Sequence, residues 1–122
     1  MTPAALRRYC LSFPGSVEDF PFHPATSVFK VEGKIFAISR LKGRPLNVSL
    51  KCEPALAEQL RADHEAISPG YHLDKRHWNT VVLDGSLPDK MVREMIEDSY
   101  DLVVAKLPRK LRSALDWPGD AA

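Results

Sequence analysis

The sequence predicts an α+β fold: two layers, a five-stranded antiparallel sheet with helices on one face, in the order α-β-β-β-α-β-β-α. Three observations lead there. Apolar residues recur at helical spacing near both ends of the chain. Between them, β-rich runs are joined by short glycine-containing turns, as in hairpins. Strands and helices also come in groups instead of alternating strictly one to one, which argues against a parallel doubly wound sheet. At 122 residues the chain has the length of one ordinary domain. Its 44% hydrophobic and 27% charged residues place it far from disordered composition. One domain over 1–115, with a frayed tail over 116–122, is expected.

Each element has a local reason. Thr2 and Pro3 form an N-cap and first-turn pair, because proline lacks only a donor that would be orphaned there anyway. Leu6, Tyr9, Cys10 and Phe13 then share one helical stripe, which Pro14-Gly15 ends. The following SVEDFPFHPAT is rich in proline and aromatics, so it is expected to be an irregular loop with Phe20 and Phe22 tucked under the sheet.

Ser27 to Val31 and Lys34 to Ser39, around Glu32-Gly33, read as a hairpin. Beyond the Lys42–Pro45 turn, Leu46, Val48 and Leu50 alternate with Asn47, Ser49 and Lys51, the pattern of a half-buried strand. Pro54, with Glu53 and Glu58 early and Leu56, Ala57 and Leu60 on one side, starts a second helix. Ser68-Pro69-Gly70 reads as a break, and Tyr71 to Asp74 and Trp78 to Leu83 as two further strands. Ser86 to Asp89 resembles a capping box. The helix after it, with Met91, Val92, Met95, Ile96, Ser99, Leu102 and Val103 at spacings of three and four, runs until Pro108 stops it. Leu107, Leu111 and Leu115 follow at spacings of four.

The net charge of +1 conceals an asymmetry. Residues 1–52 hold 8 Lys/Arg against 3 Asp/Glu, residues 53–105 hold 5 against 11, and residues 106–122 hold 4 against 2. Such polarisation favours an anionic partner on one surface. Cys10 and Cys52 stand apart in apolar surroundings and are expected to act as small hydrophobes; a disulfide between them is the alternative. Two arginines stand where a signal peptide would place its apolar core, and no run reaches the roughly 18 apolar residues of a bilayer span. A cytoplasmic location without membrane contact is therefore expected.

Four segments resemble the MmcQ/YjbR family, in the right order and over nearly the whole chain. They are SFPGSVEDFPF (12–22), VFKVEGKIFA (28–37), PGYHLDKRHWNTV (69–81) and SYDLVVAKLPRKLR (99–112). The third is the most specific. The resemblance implies the two-layer fold seen in type III secretion chaperones, and DNA binding through a winged arrangement of hairpins. His23 stands where that family often has glycine, a difference expected to alter the loop and not the fold.

The candidate site residues follow from charge and position. Lys34, Lys42, Arg44 and Lys51 lie on the hairpin segment with Lys30 and Arg40, where only Glu32 opposes them. Lys75, Arg76 and His77 lie in the HLDKRHWN segment. Lysine and arginine neutralise phosphates and release counterions, and histidine can donate to a backbone. The competing reading makes these lysines guards of exposed strands against aggregation. Trp78 and Asn79 are expected in structural roles, as a core plug and a turn hydrogen bonder. No aromatic residue interleaves with the hairpin tips, an argument against single-strand recognition. Lys106, Arg109, Lys110 and Arg112 sit at a helix end and complement its dipole, while Glu94, Glu97, Asp98 and Asp101 make the long helix too acidic to enter a groove.

Pairs such as Asp19 with His23, or Asp74 with His72 and His77, arise by chance in a chain with four histidines and 16 acids. There is no nucleophile motif, phosphate-cradling glycine loop or metal pair. The expectation is a non-enzymatic protein, without cofactor or metal, that binds DNA weakly through phosphates. The alternative is a protein-interaction module, monomer or weak dimer, acting through an exposed sheet face or edge.

Overall fold

The computed structural model describes residues 1–70 and 73–117. Its elements are α1 (Pro3–Leu11), β1 (Ser16–Asp19), β2 (Ser27–Val31), β3 (Lys34–Ser39), β4 (Asn47–Lys51), α2 (Pro54–Asp63), β5 (Ile67–Pro69), β6 (Trp78–Val82), α3 (Asp89–Ala105) and α4 (Arg109–Ser113). The strands form one sheet in the order β1-β2-β3-β4-β6-β5, with every neighbouring pair antiparallel. The α+β class with helices on one side agrees with the sequence expectation; the strand count is six.

Phe29, Val31, Ala37, Val48, Leu50, Ile67 and Val81 supply the sheet's contribution to the core. Leu6 and Cys10 of α1 and Val92, Ile96, Tyr100, Val103 and Val104 of α3 cover them. The periodicity of α3 explains this directly: residues three and four apart stack along one stripe, and that stripe lies on β2, β3 and β4. Phe13, Phe36 and Tyr100 pack as an aromatic cluster, with Phe13 and Tyr100 stacked at 4.8 Å between ring centres. The opposite face is polar at its centre, where Ser49 and Thr80 hydroxyls bond across β4 and β6 at 2.9 Å.

The local signals at α1 and α2 act as expected. Thr2 Oγ1 accepts from the Ala5 N–H at 3.1 Å, and Glu53 caps α2 ahead of Pro54. Cys10 and Cys52 are both free thiols, which removes the disulfide alternative. Burial pushes the Cys10 thiol up to about 12.

Four expectations need correction. Residues 16–19 are a strand: Pro21 and Pro24 lie beyond the paired residues, and β2 offers a free edge to bond to. Phe20 and Phe22 are not tucked under the sheet but 49% and 65% exposed, because they follow Asp19, the last residue of β1 paired with β2. Ile67–Pro69 is a strand, where Ser68-Pro69-Gly70 was expected to be a break. β5 is an edge strand, where a proline's missing donor is tolerated, so Ser68-Pro69 continues the ladder. Tyr71 and His72 lie outside the described residues, and Leu73 and Asp74 lead into a turn. Finally, Ser86 does not cap α3. Its N–H donates to Asp84 Oδ1, and the helix starts at Asp89 after Pro88 without a side-chain cap.

The last apolar leucines divide. Leu107 and Leu115 are buried, while Leu111 of α4 is exposed. Trp117 is held by its indole N–H, which donates to Asp101 Oδ1 at 2.8 Å.

Candidate nucleic-acid interface

Sheet geometry sorts the candidate residues by strand end. β3 begins at Lys34, its antiparallel neighbour β4 ends at Lys51, and β6 begins at Trp78. These three therefore share one end of the sheet. The loop of Lys75, Arg76 and His77 leads into β6 at the same end, and the Cys52 N–H donates to His77 O at 2.7 Å. Lys42 and Arg44 lie in the β3–β4 connection, at the other end of β3. A six-residue strand spans about 17–20 Å, so these two cations do not join the others in one patch.

At the shared end, the β3–β4 ladder stops early. Only Ala37↔Leu50 and Ile38↔Ser49 pair directly, because the β2–β3 register shifts at Phe29/Lys30 and Phe36 is left over. A side chain from α3 occupies the place of the missing ladder bond. The Ser99 hydroxyl donates to Phe36 O at 2.6 Å and accepts from the Lys51 N–H at 2.8 Å. Ser99 is itself fully buried. It acts as a polar wedge, which holds the strands apart while both backbone groups stay satisfied.

Beyond the wedge opens a pocket of about 540 Å³, lined by Gly33, Lys34, Ile35, Lys51, Trp78, Val103, Lys106 and Leu107. Among the described residues its lining has three cationic side chains and no carboxylate. Lys51 and Trp78 are direct cross-strand partners, so the ammonium and the indole lie on the same face of the sheet. Among the described residues, the ammonium groups of Lys34, Lys51 and Lys106 have no ion pair or hydrogen bond. Lys30, in contrast, is paired with Asp19 at 2.9 Å and holds that carboxyl below the usual range. Lys106 is the C-cap of α3, where its charge also complements the helix dipole.

The turn before β6 is a separate cluster. Lys75 and Arg76 line a groove with Pro54, Ala55, Glu58 and Arg61. Arg61 Nη1 donates to Lys75 O at 2.7 Å and to Asn79 Oδ1 at 3.2 Å, and Asn79 Nδ2 donates to Ala57 O at 3.4 Å. Asn79 is thus a structural link to α2, as its burial requires. Lys75 Nζ reaches back to Gly70 O at 3.4 Å. His77 Nδ1 lies 2.8 Å from Asp74 Oδ2, and this contact, with the Arg76 N–H, lowers the Asp74 carboxyl below its ordinary value.

Of the residues expected from sequence, Lys34 and Lys51 come together in the pocket. Lys75, Arg76 and His77 adjoin them at the same sheet end, and Lys42 and Arg44 are remote. Sequence reasoning missed Lys106 as a pocket wall and took Trp78 for a core plug, whereas it is half-buried and lines the pocket. The alternation of β4 and β6 carried a usable signal for Trp78, since Lys51 and Trp78 follow in phase with Ser49 and Thr80 on the polar face. Among the described residues no group of three acids, histidines or cysteines can hold a metal ion, and no helix is long and apolar enough to cross a membrane.

An open antiparallel sheet with helices on one side and a cationic cleft at one end defines the class of domain. Comparison with known proteins then places it: residues 11–102 match the YjbR family model, and the chain belongs to the YjbR family. It is 40% identical to Escherichia coli K12 YjbR over 116 residues, covering 94% of this chain and 98% of that protein. A shorter similarity, 42% over 55 residues, links 45% of this chain to 46% of Bacillus subtilis YyaQ. Among solved structures, a Deinococcus radiodurans protein superposes with a TM-score of 0.90 at 41% identity, covering 96% of this chain and 89% of that one. A Pseudomonas syringae protein superposes at 0.72 with 29% identity, covering 84% and 98%.

Proposed function

We propose that the protein is a non-enzymatic nucleic-acid-binding module whose contact surface is the cationic end of the sheet. The observation that carries this reading is the set of three lysines, Lys34, Lys51 and Lys106, that share one pocket without a carboxylate or any other described partner. Neutralised lysines are held in place by their partners; these three repel one another until an anion arrives. Phosphate contacts of this kind release counterions and carry no sequence information. Arg76 and Lys75 extend the surface towards α2, while Lys42 and Arg44 fall outside it.

Fluorescence anisotropy with a generic labelled DNA duplex at several salt concentrations tests the reading. Three phosphate contacts give a slope of log K against log salt of roughly −2.7 on duplex DNA. Lys34→Gln with Lys51→Gln flattens that slope by roughly two contacts, about 1.8. Lys42→Gln with Arg44→Gln leaves it unchanged. Absence of binding at low salt refutes the reading.

A second reading, contact with another copy of the chain, is favoured by one feature. Edge strand β1 and the loop after it expose Val17, Phe20 and Phe22 beside an unpaired strand edge. A dimer in light scattering that Phe22→Ser abolishes supports it, and a monomer at high protein concentration excludes it.

A further inference from the structure

We propose that the pocket at the sheet end takes one unpaired nucleotide, with its base against the Trp78 indole and its phosphates on Lys34, Lys51 and Lys106. The inference rests on the nucleic-acid reading above and goes further, because it makes the protein selective for single strands and frayed ends over intact duplex.

Shape is the first argument. Phosphate contact alone needs only a cationic surface, on which a duplex lies. Here the cations instead rim a concavity of about 540 Å³, within the roughly 300–1,000 Å³ typical of pockets that enclose a ligand. A base stacked within a duplex has no free face to offer such a hole, whereas an unpaired one does.

Chemistry is the second. The lining combines one aromatic ring, the apolar side chains Ile35, Val103 and Leu107, and three ammonium groups. That mixture answers a ligand with a planar apolar body and a multiply charged end. Aromatic platforms hold bases by stacking with little preference among the four, and flanking cations track the backbone. The cross-strand pairing of Lys51 with Trp78 places one of each kind side by side.

Permanence is the third. Ser99 bridges Phe36 O and the Lys51 N–H, so a buried side chain fixes the Lys51 backbone at the rim of the cleft. Gly33, in the left-handed region at φ 77°, and Glu32 at φ 49° form the tight two-residue turn that lets Lys34 enter the rim directly.

The test uses the full chain carrying Trp117→Phe, so that Trp78 is the sole remaining tryptophan. Labelled 12-nucleotide oligothymidylate and a blunt, GC-clamped 12-base-pair duplex are titrated by anisotropy, and indole emission is followed with unlabelled strands. The expected results are at least roughly tenfold tighter binding of the single strand, as one base stack supplies, and quenching of Trp78. Trp78→Leu then removes that preference, while Trp78→Tyr retains most of it, which separates stacking from a loss of folding. Equal affinity for both probes with unchanged Trp78 emission overturns the nucleotide pocket and leaves the phosphate reading standing. No binding of either probe at low salt overturns both.

Discussion

Replacing Ser99 by alanine deletes a single buried oxygen that serves two strands. Its hydroxyl donates to Phe36 O at 2.6 Å and accepts from the Lys51 N–H at 2.8 Å. The alanine methyl fills nearly the same volume, so the cost is not a cavity. It is the stranding of a carbonyl and an amide where water enters poorly, at about 1–3 kcal/mol per orphaned group. Partial relaxation of the exposed end of β4 lowers the sum, to about 2–4 kcal/mol. For a chain of this length that corresponds to a fall in Tm of roughly 8–16 °C. Urea denaturation is the assay: the midpoint is expected to drop with m unchanged, because the same surface is exposed on unfolding. Hydrogen exchange of the Lys51 amide gives an independent readout, since its protection depends on that one acceptor. A loss below about 0.5 kcal/mol, far less than one stranded group costs, refutes the reasoning, because β3 and β4 would then have closed and paired directly. In that case Ser99 does not hold β3 and β4 apart.

Two further predictions concern charge and backbone. Partial burial, with Asp101 and Glu94 nearby, raises the Asp98 carboxyl above its ordinary value, so folding disfavours its ionised form. Asp98→Asn is expected to give a small gain in Tm that is absent below about pH 3.9, grows as pH rises through the raised folded value, and is complete at neutrality; a gain independent of pH contradicts this. Glu32 occupies the left-handed region at φ 49°, which asparagine tolerates better. Glu32→Asn is expected to stabilise the domain by about 0.5–1 kcal/mol in urea denaturation and to tighten DNA binding by removing the acid at the hairpin tip; a destabilised variant counts against the turn assignment.

The elements legible in the sequence were those whose partners are local. Pro3 and Pro54 mark helix starts, the threes and fours of α3 mark one face, and the alternation of Val48 and Leu50 with Ser49 and Lys51 marks two faces of a strand. β1 and β5 were not legible, because both are short edge strands whose signal is the bonding capacity of a neighbour and not their own pattern. Residues 16–19 pair because β2 has a free edge, and Pro69 is accepted because β5 has nothing beyond it.

The candidate site divides in the same way. Lys34 and Lys51 were legible as cations on strands, and Lys42 and Arg44 looked identical to them, since composition does not say which end of a strand faces which. Antiparallel pairing settles that, bringing the start of β3 to the end of β4 and leaving the β3–β4 connection at the far end of the sheet. Ser99 looked like one more small residue on a helical stripe. By itself the chain determined its main helices, its central strands and which side chains are apolar, because those depend on spacing within a few residues. Only the tertiary structure decided where the charges collect, since a lysine-lined cleft beside Trp78 exists only once four segments remote in sequence are packed together.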